Sequence, residues 1–338
     1  MATSGLGDWA HGVPRVADAN GERPRWEHRQ DNQRETPPPD DLAAAGSGRC
    51  DQRAGGCVVI GNDNDRPGEA VLEVAVDAAL EVFGPELSAA FALGSLAHGG
   101  FAPLVSDVDL MLVLDGLDDD TGSRVRSVQD LVRASGSGEL KQRLSVFWSD
   151  WAGVRRGVER TGRLPEVDRL DLLESGRLLR GSDRRGKAER PDPGVIVVQA
   201  AEFALWKFDA PYLARLHRPA ELAAEDARPV TKAVLFPVRF LYTLATGRIG
   251  HNEAAARWFV VERKHGDLPE AAMAWRQQGI RDDAAAEALL AEHLVPIYSM
   301  FAREYAREFR TSGHHALADD LARWGDSVID TRPTRPRL

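Results

Sequence analysis

Apolar residues in the first half of the chain follow helical spacing in some segments and form short strand-like runs in others. The segment PGEAVLEVAVDAALEVFG has helical spacing and opens with Pro67, where a missing N–H group costs nothing, so it predicts a helix. The apolar runs LSAAFALGS and SDVDLMLVLDG end in Gly, Ser or Asp and predict two strands. A helix through SRVRSVQDLVRAS and a third strand, RLSVFWS, complete an α/β unit of about 130 residues.

From Val195 onward the pattern is almost wholly helical, which predicts a helical bundle. The predicted helices are VIVVQAAEFALWKF, VTKAVLFPVRFLYTLATG, NEAAARWFVVERK, PEAAMAWRQQG and AAAEALLAEHLVPIYSMFAREYAREF. The start of the chain mixes Pro, Gly, Arg and Asp without either period, and its short end is basic. We therefore expect a disordered arm over 1–60, an α/β domain over 61–192, a helical domain over 193–328 and a disordered tail over 329–338.

Composition and charge narrow the classes of function. The net charge of -9 argues against an extended basic surface that binds nucleic acid, and it suits small or cationic substrates. No apolar run approaches the ~20 residues that span a bilayer, and residues 1–30 lack a secretory signal pattern, so we expect a cytoplasmic protein with no membrane partner. Cys50 and Cys57 support neither a disulfide framework nor a four-ligand zinc site.

The segment GSLAHGGFAPLVSDVDL carries the chemistry. On a strand, residues two apart project to the same face, so Asp107 and Asp109 present their carboxylates side by side while Val108 is buried. Two adjacent carboxylates form a hard-oxygen site for Mg²⁺, which prefers a few carboxylates together with substrate phosphates. A pair of such ions ~4 Å apart steadies both the attacking and the leaving oxygen in phosphoryl or nucleotidyl transfer.

The turn before these carboxylates is suited to phosphate. Gly94 and Ser95 end a predicted strand, where backbone N–H groups and a hydroxyl can hold phosphate oxygens. Gly99 and Gly100 allow the following connection to bend tightly.

Together these features resemble the signature of the DNA polymerase β-like nucleotidyltransferase superfamily. Two segments most resemble the streptomycin/spectinomycin-type aminoglycoside adenylyltransferases. They are GSLAHGGFAPLVSDVDLMLVL and, in the helical part, VRFLYTLATGRIGHNEAAARWF. The resemblance covers about residues 66–310. It implies an α+β protein, with a small mixed-sheet nucleotidyltransferase domain followed by an all-helical bundle. It also implies Mg²⁺-dependent transfer of AMP from ATP to a hydroxyl of a small molecule, as in this kind of antibiotic resistance.

The resemblance also implies roles for particular residues. Asp107 and Asp109 are the expected catalytic metal ligands. Nucleotide contacts are expected from Gly94, Ser95, Ser106, Arg239 and Arg248. The family places acidic residues for the amines of the drug just before the helix that carries Arg239. Glu225 and Asp226 lie near that position without matching its register.

Two departures from the family pattern bear on activity. The superfamily supplies a third carboxylate from a neighbouring strand, where this chain has Gln142 or Ser145, and Glu139 and Asp150 only flank that strand. A Lys that follows the Thr-Gly-basic element is replaced by Asn252, for which Lys232 or Lys264 are candidate substitutes.

Three functions remain open on the sequence alone. The favoured one is transfer to a small acceptor, an aminoglycoside, an aminocyclitol or a biosynthetic alcohol. The alternatives are an adenylyltransferase that acts on a protein partner, as in toxin–antitoxin pairs, and a catalytically degenerate sensor of nucleotides, which the missing carboxylate motivates. The sequence does not distinguish a monomer from a dimer.

Overall fold

A four-stranded mixed sheet forms the centre of the N-terminal part of the fold. Its strands are β1 (Leu87–Leu93), β2 (Val108–Leu114), β3 (Leu144–Asp150) and β4 (Arg177–Gly181), in the spatial order β3-β2-β1-β4. Strand β1 runs antiparallel to both β2 and β4, whereas β2 and β3 are parallel.

Helices cover both faces of this sheet. On one face, α1 (Arg66–Phe83) and α3 (Thr121–Ala134) pack against Leu110, Leu112 and Leu114. On the other, α5 (Trp151–Arg156) and α6 (Glu166–Ser175) pack against Met111 and Val113. Because neither face meets solvent, β2 is apolar at consecutive positions instead of alternating with polar residues. Two short helices, α2 (Ser95–His98) and α4 (Glu139–Gln142), lie in the connections.

The C-terminal part of the described chain is built from eight helices. They are α7 (Pro193–Lys207), α8 (Ala210–Leu216), α9 (Pro219–Ala223), α10 (Ala227–Thr246), α11 (Asn252–Glu262), α12 (Asp267–Gln278), α13 (Asp283–Thr311) and α14 (His315–Ile329). Aromatic rings fill their common core, where Phe301 contacts Phe240, Tyr305 and Trp324. Burial of this apolar surface is the main stabilising contribution to such a bundle.

The computed structural model describes residues 63–157 and 162–330. The predicted arm over 1–60, including Cys50 and Cys57, and residues 331–338 of the predicted tail lie outside the described residues. Residue 329, expected to begin the tail, is the last residue of α14. None of the helices in the described ranges combines the length and the hydrophobicity that crossing a membrane requires.

The fold class expected from the sequence, α+β with a mixed sheet followed by helices, is confirmed. The sequence patterns do not predict α6, β4, α8, α9 or α14. In α6 the buried residues include Asp168, Arg169 and Asp171, which break the apolar period that marks a helix. Strand β4 is a short edge strand whose sequence RLLRG is mostly exposed, so it has no buried alternation to recognise.

The two parts of the fold meet at the turn that precedes β2. Arg228 and Lys232 of α10 both bind the carboxylate of Asp107, and Arg276 of α12 donates to the carbonyl of Gly100. The helices of the C-terminal part therefore contribute side chains to the segment in which the sequence analysis locates the chemistry.

Candidate active site

Gly94 lies directly against one of the two motif carboxylates. Leu93, the last residue of β1, pairs with Asp109 of β2, so the chain turns into α2 beside that side chain. Gly94 has a φ of +60°, and a Cβ atom built on it would lie 2.6 Å from Oδ2 of Asp109. Only glycine combines this backbone conformation with so close an approach.

Asp107 is buried and ion-paired with the helical part. Lys232 Nζ lies 2.8 Å from its Oδ2, and Arg228 Nη2 lies 2.5 Å from its Oδ1. Burial alone raises the pKa of Asp107, but the charges and hydrogen bonds of Lys232 and Arg228 hold that pKa below its usual value. Asp107 is therefore an ionised carboxylate whose position is fixed from α10.

The pKa of Asp109 is shifted in the opposite direction from that of Asp107. Burial, followed by the negative charge of Asp107, raises the pKa of Asp109 to about 7, although Lys232 opposes the shift. A second proximal carboxylate disfavours ionisation, whereas a bound cation favours it. Burial and the nearby charge of Asp107 therefore both disfavour ionisation of Asp109.

A cavity brings most of the predicted site residues together. Its walls include the predicted residues Gly94, Ser95, Ser106, Asp107, Asp109 and Arg239, and also His98, Lys232, His251, Asn252 and Arg276. Arg248 is exposed on the surface and is not among the residues that line the cavity. Its contact with nucleotide stays a prediction.

The N–H group of Gly94 is already engaged, contrary to the expectation of free backbone donors at this turn. It donates to Oδ2 of Asp171 over 2.8 Å. The following helix, α2, has only four residues, so its N-terminal dipole is small. The expected phosphate contact at this turn would therefore have to come from the remaining groups of Ser95 and from side chains of other elements.

Neither flanking candidate supplies a third carboxylate. Ser145 is the residue of β3 that pairs with Asp109. Asp150 pairs with Leu114, five residues further along the parallel strands and about 17 Å away, and it caps α5 by accepting from the N–H of Gly153. Glu139 forms an ion pair with Arg143.

Helix α6 instead brings two carboxylates close to Asp109. Asp168 and Asp171 are each only 6% exposed. Burial, then the charges of Asp109 and Asp171, raises the pKa of Asp168 well above its usual value, and its Oδ2 is buried without a hydrogen-bond partner in the described structure. The sequence signal for these residues is weak, because it consists of two acids three apart in EVDRLDLLES, a segment in which only four of the ten residues are apolar.

Arg276 is a further residue that the sequence analysis did not identify. Its side chain is only 6% exposed, and Nη2 donates to the Gly100 carbonyl over 3.2 Å and to Ser106 Oγ over 3.3 Å. Its Nε is buried without a hydrogen-bond partner among the described residues. Burial, then the charge of Arg239, lowers the pKa of Arg276 to about 10. Such a cation, bound to neutral oxygens, is suited to an anionic ligand.

The carboxylates of the site fit a divalent cation. Asp107 and Asp109 face one cavity, and the pKa values of both Asp109 and Asp168 are raised partly by neighbouring carboxylates. A divalent cation on Asp107 and Asp109 would offset that repulsion with the oxygen ligands that Mg²⁺ prefers.

Comparisons with known proteins include a distant likeness in structure. No protein-family profile matches the chain, and no curated protein matches it in sequence. Among solved structures, the fold is similar to spectinomycin adenyltransferase AAD(9) from Enterococcus faecialis, solved with ATP and spectinomycin. The sequence identity is 12%, the TM-score is 0.46, and the match covers 67% of this chain and 98% of that one. Function is therefore argued from the residues of the site.

The contact between Gly94 and Asp109 is testable through stability. We expect Gly94→Ala to lower the free energy of unfolding more than Gly84→Ala does, as measured by urea denaturation. Both glycines have similar positive φ values, +60° and +53°, so both substitutions carry a backbone cost of about 1–3 kcal/mol. Only the alanine at position 94 would collide with another side chain, that of Asp109, because no atom lies within 4 Å of a Cβ at position 84.

The matched control for this prediction is Asp109→Ala, which removes the opposing carboxylate. In that background the excess cost of Gly94→Ala over Gly84→Ala should disappear, since double-mutant cycles isolate the pairwise contact. An excess cost of unchanged size in the Asp109→Ala protein would show that the contact does not set the requirement for glycine.

Proposed function

We propose that the protein is a Mg²⁺-dependent nucleotidyltransferase that moves AMP from ATP to a hydroxyl group of a small molecule. The observation that carries the proposal is the placement of Asp107 and Asp109 on one cavity wall, with Lys232, Arg239 and Arg276 on the same cavity. Paired carboxylates opposite clustered cations suit a metal-bound triphosphate, because phosphoryl-transfer catalysis consists largely of positioning and charge neutralisation.

Asp107 and Asp109 would hold Mg²⁺, which neutralises charge on the non-bridging and leaving oxygens when it is bound. The buried carboxylate of Asp171 adds negative charge near Asp109. Asp171 lies outside the set of cavity-lining residues, so its effect on substrate would be indirect.

The cations of α10 and α12 would bind the polyphosphate. Lys232 lines the cavity whereas Lys264 does not, so Lys232 is the better substitute for the lysine that Asn252 replaces. Lys232 Nζ donates to Oδ2 of Asp107. Binding of Mg²⁺-ATP would exchange that ion pair for one with phosphate, which couples nucleotide binding to the contact between the two parts of the fold.

The acceptor is proposed to be cationic, such as an aminocyclitol. A second and larger cavity lies beside Arg228, the residue that also binds Asp107. Four carboxylates and two arginines contribute to its walls, namely Glu139, Glu225, Asp226, Asp283, Arg143 and Arg228. Glu139 and Glu225 are ion-paired with Arg143 and Arg215. The acidic excess at Asp226 and Asp283 favours amino groups on the acceptor.

The proposed reaction is tested by pyrophosphate release from ATP in the presence of Mg²⁺ and a panel of acceptors that includes streptomycin and spectinomycin. We expect release with at least one acceptor and a loss of about 100-fold or more in Asp107→Asn and Asp109→Asn, because both variants remove metal-binding charge. The control is Asp130→Asn, an exposed acid of α3, which should keep the wild-type rate. Full activity in Asp107→Asn would contradict the assignment.

Absence of release with every acceptor, combined with measurable ATP binding, would contradict transfer and favour a nucleotide sensor.

Arg276 provides an independent prediction about nucleotide binding. We expect Arg276→Met to weaken ATP and pyrophosphate binding by about tenfold or more, and to leave adenosine binding unchanged, in calorimetric titrations. The free energy of unfolding of the ligand-free protein should not fall, because methionine replaces a buried cation that has incomplete hydrogen bonding. Arg323→Met, at an exposed arginine of α14, is the control. Equal weakening of adenosine binding would indicate a general structural defect.

A further inference from the structure

Two histidines without a role in the proposed transfer meet Asp171 at the edge of the cavity. His98 is the last residue of α2, Asp171 lies on α6, and His251 immediately precedes α11. One potential ligand atom from each residue lies within 4.8 Å of the other two. These three residues are 73 to 153 positions apart in the sequence. The fold brings them together from both the sheet-containing part and the helical part.

The distance between His251 and Asp171 is close to that between two ligands of one metal ion. His251 Nε2 lies 3.3 Å from Asp171 Oδ1. Two ligands of a tetrahedral ion with bonds of about 2.0–2.1 Å are separated by roughly 3.3–3.4 Å. Two imidazoles and one carboxylate form a donor set used by zinc and other transition-metal dications, whereas Mg²⁺ favours oxygen ligands.

The carboxylate of Asp171 is held in the orientation that ligation needs. Its Oδ2 accepts the N–H of Gly94 over 2.8 Å, which leaves Oδ1 directed toward His251. Hydrogen bonds of this kind orient ligands and tune their affinity for metal.

We propose that His98, Asp171 and His251 bind a transition-metal dication of the zinc or cobalt type, at a site distinct from the Mg²⁺ ligands Asp107 and Asp109. Both histidines line the cavity, so the remaining coordination position faces it and is available to water or to an anionic oxygen. The ion would join α2 and α6 to the start of α11. This proposal does not depend on the proposed transfer activity.

Metal binding requires a defined movement of the histidines. Their rings are now stacked, with centroids 3.7 Å apart and planes inclined by 9°, so their lone pairs are nearly parallel and cannot converge on one ion. Rotation of the His98 side chain opens the stack. His98 is followed by Gly99 and Gly100, whose φ values are +87° and +82° and whose Cβ positions are unobstructed, so the backbone there can adjust.

The site is tested by Co²⁺ titration of the full-length protein after removal of metals with a chelator. We expect visible absorption bands of low-coordinate Co²⁺ that saturate, and at least a tenfold loss of affinity in His98→Ala and in His251→Ala. His315→Ala, at an exposed histidine of α14, is the matched control and should bind as the wild type does. Asp107→Asn should also keep the Co²⁺ bands, which separates this site from the proposed Mg²⁺ site.

Melting temperatures measured with and without Zn²⁺ distinguish a lost metal site from a misfolded variant. Zn²⁺ should raise the melting temperature of the wild type and of Asp107→Asn by mass action, but not that of His98→Ala or His251→Ala. Absence of the Co²⁺ bands in the wild type would overturn the proposal. Bands of undiminished affinity in both histidine variants would also overturn it, because the ion would then be bound elsewhere in the chain. Pyrophosphate release bears on neither result, so failure of this site and failure of the transfer proposal are distinguishable.

Discussion

The arrangement of the site depends on confining carboxylates near Asp109 together with cations from the helical part. Asp107, Asp109, Asp168 and Asp171 all come from the sheet-containing part, whereas Arg228, Lys232, Arg239 and Arg276 come from α10 and α12. Arg163 of the sheet-containing part also acts on Asp109 and Asp168, but the cations that bind Asp107 come from α10, and a buried charge without partners is costly. The contact between the two parts therefore reduces an electrostatic cost in both, and it creates the cavity at the place where their charges meet.

The same arrangement underlies the proposed binding of a metal–nucleotide complex. Lys232 and Arg228 pair with Asp107, whereas burial, followed by neighbouring carboxylates, raises the pKa values of Asp109 and Asp168. Added positive charge would therefore favour the ionised forms of Asp109 and Asp168. Arg276 is a buried cation whose hydrogen bonds go to neutral oxygens, so added negative charge would stabilise it. A divalent cation bound to a polyphosphate supplies positive charge to the first group and negative charge to the second. A metal–nucleotide complex would thus supply a counter-charge both to the carboxylates and to Arg276, whereas a single monovalent ion would supply only one of the two.

The sequence predicted the features that are encoded locally. The run SDVDLMLVLDG predicted a strand with two carboxylates at its start, and β2 begins at Val108, between Asp107 and Asp109. The strand end before Gly94 followed from the preceding apolar run. Contacts between distant positions were not predicted. Arg276 reaches Ser106 across 170 residues and His251 reaches Asp171 across 80, and neither partner has a local pattern that indicates the other. Glu139 and Asp150 were judged by closeness in sequence to β3, but strand register and helix capping direct them elsewhere.

The most direct test of the central claim is the Mg²⁺ dependence of ATP affinity, measured by calorimetry in Mg²⁺ and in a chelator. The charge balance of the site predicts that wild-type protein binds ATP at least about tenfold more tightly with Mg²⁺, and that Asp109→Asn loses this enhancement because one metal-binding charge is gone. Equal ATP affinity with and without Mg²⁺ in the wild type would contradict the account. It would mean that the carboxylates around Asp109 do not serve to hold a metal–nucleotide complex.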